Sequence, residues 1–206
     1  MSNLQLLIAT RNRGKLQELR TLLEELPIDV CDLNVYPAIE TVDETGTTFI
    51  ENASLKASEY ARQAGILTLA DDSGLEVEAL SGAPGILSAR YAGAGASDSE
   101  RVDQLLAQLS SIKAENRTAR FVSVVAIADS LGRILNVSDG ICNGTLANAP
   151  RGKNGFGYDP IFVPKRFDKT FAELPAEVKN QISHRARAFR GSANFLRSLT
   201  LRRGGS

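Results

Sequence analysis

The sequence predicts an α/β fold built on a mixed central sheet. Two observations carry that prediction. Short apolar runs alternate with helically spaced segments through the first part of the chain, and two later apolar runs flank Asp129-Ser130-Leu131-Gly132, a tight-turn sequence. Alternation of strands and helices favours parallel pairing, and a hairpin adds an antiparallel pair. No repeat and no clear linker splits the 206 residues, so one continuous unit is expected, with residues 1–200 as a single domain.

Residues 4–9 form an apolar run that reads as a buried first strand. Leu16, Leu19, Leu22, Leu23 and Leu26 then recur at helical spacing, and residues 28–33 read as a second strand. Thr48 and Glu51 match a capping box opening a helix that runs to about residue 63, with Gly65 as its stop. A strand over 66–70 ends in Asp71-Asp72-Ser73-Gly74. Leu75, Val77 and Ala79 alternate with Glu76 and Glu78, as in a half-exposed strand over 75–80. Ser97 and Glu100 form a second capping box, ahead of Val102, Leu105, Leu106 and Leu109 on one helix face. Residues 120–128 and 133–142 are the hairpin strands. Residues 143–157 read as loop, 160–163 as a short strand, and 175–183 and 185–199 as helices. Residues 201–206 are expected to be a disordered tail.

Composition narrows the function. The formal net charge is zero, which gives no global attraction to nucleic acid. No apolar stretch approaches the roughly 20 residues a membrane helix needs. No basic region precedes the first strand, so a cytoplasmic protein is expected. His184 is the only histidine and the chain lacks a CxxC, which leaves too few ligands for a His/Cys zinc site. Cys31 and Cys142 read as buried thiols.

Several segments carry candidate chemistry. Thr10-Arg11-Asn12-Arg13-Gly14-Lys15 joins the first strand to the first helix. Such a turn gathers backbone N–H groups and the positive helix end, which suits phosphate, and Lys15 adds a full charge. It is not a P-loop, because Ala9 and Leu16 stand where that motif needs Gly and Ser or Thr. Asp71 and Asp72 are carboxylates suited to Mg2+ or to activating water. In a regular strand they face opposite sides, so only one serves a given site. The other reading is an Asx turn closing the strand. Asn52 and Lys56 share a helix face, either as a solvated stripe or as a phosphate contact. Gly155-Phe156-Gly157-Tyr158-Asp159-Pro160 combines glycines with aromatic rings that can stack on a base, or forms a tight turn anchored by one aromatic. Ser183-His184-Arg185 falls between two helices. It reads as a surface polar group or as a pair of donors to a carbonyl.

Taken in order, the motifs at 9–15, 48–53, 70–75, 82–85 with 88–91, 155–162 and 183–185 resemble the ITPase/HAM1 family of nucleoside triphosphate pyrophosphatases, in its bacterial dITP/XTP branch. The resemblance spans nearly the whole chain. It implies two lobes around a central cleft, a homodimer, and Mg2+-dependent cleavage of ITP, dITP and XTP to monophosphate and pyrophosphate. Thr10 to Lys15 would cradle the triphosphate, assisted by Lys56. Asp72 would be general base and Mg2+ ligand, and Ser73 would touch substrate. Asp43 matches a second metal-linked acid where relatives carry Glu, with Glu44 beside it as the alternative. Phe156, Gly157, Tyr158, Asp159, Lys179, His184 and Arg185 would form the base pocket.

Two other readings compete. A Maf-like pyrophosphatase for pyrimidine or modified nucleotides lacks support from Ser183-His184-Arg185 and the Asp71-Asp72-Ser73-Gly74 context. A non-catalytic nucleotide-binding module gains nothing from carboxylates at 43, 44, 71 and 72.

Overall fold

The structure is a computed structural model and describes residues 4–204. In chain order its elements are β1 (Leu4–Ile8), α1 (Arg13–Leu23), β2 (Ile28–Asp32), α2 (Phe49–Ala64), β3 (Thr68–Val77) and α3 (Asp98–Gln108). There follow β4 (Thr118–Ala128), β5 (Ile134–Leu146), β6 (Phe162–Pro164), α4 (Ala176–Ile182) and α5 (His184–Gly204). The six strands are ordered β2-β1-β3-β4-β5-β6. β1 pairs in parallel with β2 and β3, while β5 and β6 are antiparallel, so the sheet is mixed as predicted.

By internal contacts the chain forms two compact units. The first holds the described residues to Asp72, then Ser123–Gly140 and the chain from Arg185 onward. Its core joins Leu6 and Ile8 of β1, Leu19 and Leu23 of α1, Val125 and Ile127 of β4, and Phe189 and Leu196 of α5. The second holds Ser73–Val122 and Ile141–His184. Its core joins Leu75 and Val77, Val102 and Leu105 of α3, Phe121, Phe162 and Phe171. Rings of Phe121 and Phe162 lie 4.7 Å apart, a tilted pair.

Both capping boxes form. Thr48 Oγ1 accepts the Glu51 N–H at 3.1 Å, Ser97 Oγ accepts that of Glu100 at 3.2 Å, and each Glu reaches back to its cap. Gly65 ends α2 in the left-handed region. The hairpin turn also forms, with Gly132 N donating to Asp129 O at 2.8 Å.

Other boundaries move. β3 does not stop at Ala70: it runs through Asp71-Asp72-Ser73-Gly74 to Val77, so the Asx-turn reading is wrong. Leu75 and Val77 are fully buried with Glu76 half-buried between them, as the alternation predicts, but the strand ends at Val77 and 78–80 form a 3-10 turn. β5 extends four residues past Cys142. α5 continues through 201–204, where a disordered tail is expected from composition; residues 205 and 206 lie outside the described residues. Cys31 is half-buried and Cys142 buried, and neither forms a disulfide. Among the described residues no helix is long and apolar enough to cross a membrane.

Candidate active site

The first unit gathers three of the predicted segments. β1 delivers the chain to Asn12, whose side chain caps α1 by accepting the Lys15 N–H at 3.0 Å. Thr10 Oγ1 accepts the Asn12 N–H, and Arg11 donates to Ile39 O at 3.2 Å. Arg13 is exposed and Gly14 half-buried.

β3 enters the same unit, and its two-residue period separates the aspartates. Asp71 takes the Lys15 ammonium at 2.7 Å and the Ser123 hydroxyl at 2.6 Å, with Arg185 within 3.4 Å. Arg185, itself fully buried, also pairs with Glu18 of α1. Burial is the largest influence on the Asp71 carboxyl and acts upward. Arg185 and Lys15 outweigh it and hold the group well below the ordinary carboxylate range. Burial lowers the Lys15 ammonium in spite of Asp71.

Asp72 has different partners. Its Oδ1 accepts from Lys56 Nζ at 2.8 Å, and the same ammonium lies 2.5 Å from Glu44 Oε1. Asp72 Oδ2 is buried with no hydrogen bond from any described residue. Burial pushes this carboxyl above the ordinary carboxylate range. Glu44 adds to the rise and Lys56 opposes it. On Lys56, burial acts downward, but Asp72 and Glu44 together carry the ammonium upward.

Lys56 is no solvated stripe. It is buried with Asn52, one helical turn earlier on α2. Asn52 Oδ1 accepts the Gly46 N–H at 2.8 Å and so ties down the loop that carries Glu44. A Cβ on Gly46 would stand 2.7 Å from that oxygen, which is why the position needs glycine. Asp43 is exposed; the acid joined to Asp72 through Lys56 is Glu44.

The second unit holds most of the proposed base-binding residues. Asp159 Oδ2 accepts the Phe156 N–H at 2.9 Å and pairs with Lys179, both side chains being buried. Lys179 Nζ lies 4.9 Å from the Phe156 ring centre and 5.4 Å from that of Phe171, within cation–π range. Tyr158 is buried and donates to Ser88 O at 3.0 Å. His184 is not a surface group: it is buried and stacks on Phe121 with ring centres 4.5 Å apart. Ser73 is half-buried at the start of this unit. Arg185, assigned to the base by resemblance, is held by Asp71 and Glu18 in the first unit.

Sequence reasoning missed Glu18, Ser123 and Asp98, and placed Ser88 only within the 88–91 motif, without its contacts to Leu75 and Tyr158. A signal existed for two of them. Glu18 follows Lys15 by three residues on one helix face, and Ser123 is a polar residue inside an apolar strand run.

The fold and this lysine–carboxylate arrangement define an α/β protein with a buried cluster of lysines and carboxylates on its central sheet. The chain belongs to the Ham1 family, whose sequence profile matches residues 6–195. It is 48% identical to a dITP/XTP pyrophosphatase of Streptomyces coelicolor, over 95% of this chain and 98% of that protein. It is 51% identical to one of Syntrophobacter fumaroxidans, over 91% and 80%. Among solved structures, a HAM1 protein from Coxiella burnetii superposes with a TM-score of 0.85 at 41% identity, covering 95% of this chain and 99% of that one.

Proposed function

We propose that the protein hydrolyses non-standard purine nucleoside triphosphates, among them dITP and XTP, to the monophosphate and pyrophosphate. The observation that carries the chemistry is Asp72: a buried carboxylate with one oxygen on Lys56 and the other open. The substrate class comes from the relatives, which are named dITP/XTP pyrophosphatases.

In this reading Asp72 takes a proton from water as the oxygen attacks the α-phosphorus. The bond from that phosphorus to the bridging oxygen breaks, and pyrophosphate leaves with the electron pair. A base is most effective when its pKa lies near the working pH, and the upward shift on Asp72 acts in that direction. The amides at the start of α1 and the Lys15 charge supply the electrostatic stabilisation a polyanion requires.

Mg2+ is part of the proposal. Among the described residues no three His, Cys, Asp or Glu side chains converge on one point. Mg2+ is commonly held by one or two carboxylates together with substrate phosphates, so Asp72, with its open buried oxygen, and Glu44 fit that role. When bound, the ion would neutralise triphosphate charge. The family resemblance further supports a homodimer in the cytoplasm.

In the second unit Phe156 offers a face for a base, and Lys179 and His184 are donors. A 6-oxo purine accepts from such donors, whereas adenine presents an amino group, itself a donor, at the same place.

Hydrolysis of dITP in 18O-labelled water tests the reaction. The label is expected in the monophosphate and absent from pyrophosphate. Label in pyrophosphate, or release of orthophosphate first, would rule out attack at the α-phosphorus.

A further inference from the structure

We propose that Asp98, on α3, is a positioning residue that fixes the loop at 155–158 for the base. The proposal rests on the reading of that loop as the base-binding element.

The helix start does not need Asp98. Ser97 and Glu100 already cap α3 reciprocally, at 3.2 Å and 2.7 Å. The Asp98 carboxylate is turned to another task. Its Oδ2 accepts the Gly157 N–H at 2.6 Å, across 59 residues of sequence. Its Oδ1 pairs with Arg101, which also donates to the carbonyls of Ala89, at 3.0 Å, and Ala96. Arg101 thereby holds the carboxylate against the chain that leads into α3.

The preceding amide, that of Phe156, is held by Asp159 Oδ2. Two successive N–H groups of the loop are thus bound by two carboxylates from different elements. Gly155 and Gly157 both have positive φ, 75° and 60°, so the backbone here has wide freedom unless it is tied. Charge-assisted hydrogen bonds are about twice as strong as neutral ones, which suits them to this task. The Tyr158 hydroxyl on Ser88 O fixes the far side of the turn. With both amides occupied, what the loop presents to a base is the half-buried Phe156 ring, over Lys179. Asp98 would act through the loop: it lowers the ordering cost of binding without touching the reacting atoms.

The test compares Asp98→Ala and Asp98→Asn with wild type, by amide hydrogen exchange at residues 156–157 and by KM and kcat for dITP. Circular dichroism confirms that α3 is retained. In Asp98→Ala, Gly157 exchange is expected to rise and KM to rise by about tenfold, the worth of one hydrogen bond to a charged group, with kcat nearly unchanged. Asp98→Asn keeps an acceptor oxygen and is expected to recover part of the loss. Unchanged exchange at Gly157 in Asp98→Ala would overturn the clamp. Phe156→Ala separates the two layers of the argument. If it raises KM and Asp98→Ala does not, the positioning role is wrong. If neither moves KM, the reading of the loop as base-binding fails, and this proposal with it.

Discussion

Replacing Asp72 with Asn is expected to lower turnover of dITP by a factor of about 10²–10⁴, the usual contribution of a general base, while the protein still folds. The amide matches the carboxylate in shape and keeps an oxygen for Lys56, and Glu44 continues to neutralise that lysine. What is lost is the proton acceptor. Single-turnover hydrolysis, with binding of a non-hydrolysable dITP analogue in parallel, measures both quantities. Retained binding with lost turnover assigns Asp72 to the chemical step. Wild-type turnover in the variant would remove it from that role. A pH profile adds a second check. Because the Asp72 carboxyl sits above the ordinary carboxylate range, the acid limb of kcat/KM should fall at a higher pH than a solvated aspartate would give.

Asp71→Asn is expected to act on stability. Asp71 is fully buried between Lys15 and Arg185, and removing its charge breaks its ion pairs with both, while Glu18 still pairs with Arg185. Breaking a buried pair from one side costs about 3–5 kcal/mol. At roughly 2–4 °C per kcal/mol for a chain of this size, the melting temperature should fall by about 6–20 °C. The sign with pH follows from the depressed carboxyl. Its stabilisation is fully present above the unfolded value, about 3.9, and is lost as pH falls from there toward the lower folded value. Wild type should therefore lose stability in acid more steeply than Asp71→Asn. Melting curves from about pH 2 to pH 7, covering the range below about 3.9 where the loss occurs, give both results, and equal curves for the two proteins would contradict this account of the cluster.

The legible parts of the fold were those with local chemistry. Thr48 with Glu51 and Ser97 with Glu100 are signals within four residues, and both helices start where those signals stand. The opposite facing of Asp71 and Asp72 follows from strand geometry alone. What sequence reading missed depended on distant partners. β3 passes through two aspartates because Lys15, Lys56 and Arg185 arrive from three different helices to neutralise them. No local window contains those contacts, so a turn was the natural reading. His184 has the same history: beside basic residues it reads as a surface group, yet Phe121, 63 positions earlier, covers it. Arg185 matched a motif, and its pairing with Asp71 and Glu18 could not be read from that motif. A motif identifies which residues matter more readily than it identifies what each one touches.

The proposed reaction is hydrolysis of non-standard purine triphosphates to monophosphate and pyrophosphate. The most direct test is pyrophosphate release with Mg2+ from ITP, XTP, dITP, GTP, ATP and TTP at equal concentration. ITP, dITP and XTP are expected to exceed ATP by at least about tenfold, the scale of discrimination that a few base-specific hydrogen bonds supply, and to exceed GTP as the names of the relatives imply. Preference for TTP, or no release from any of the six, would contradict that expectation.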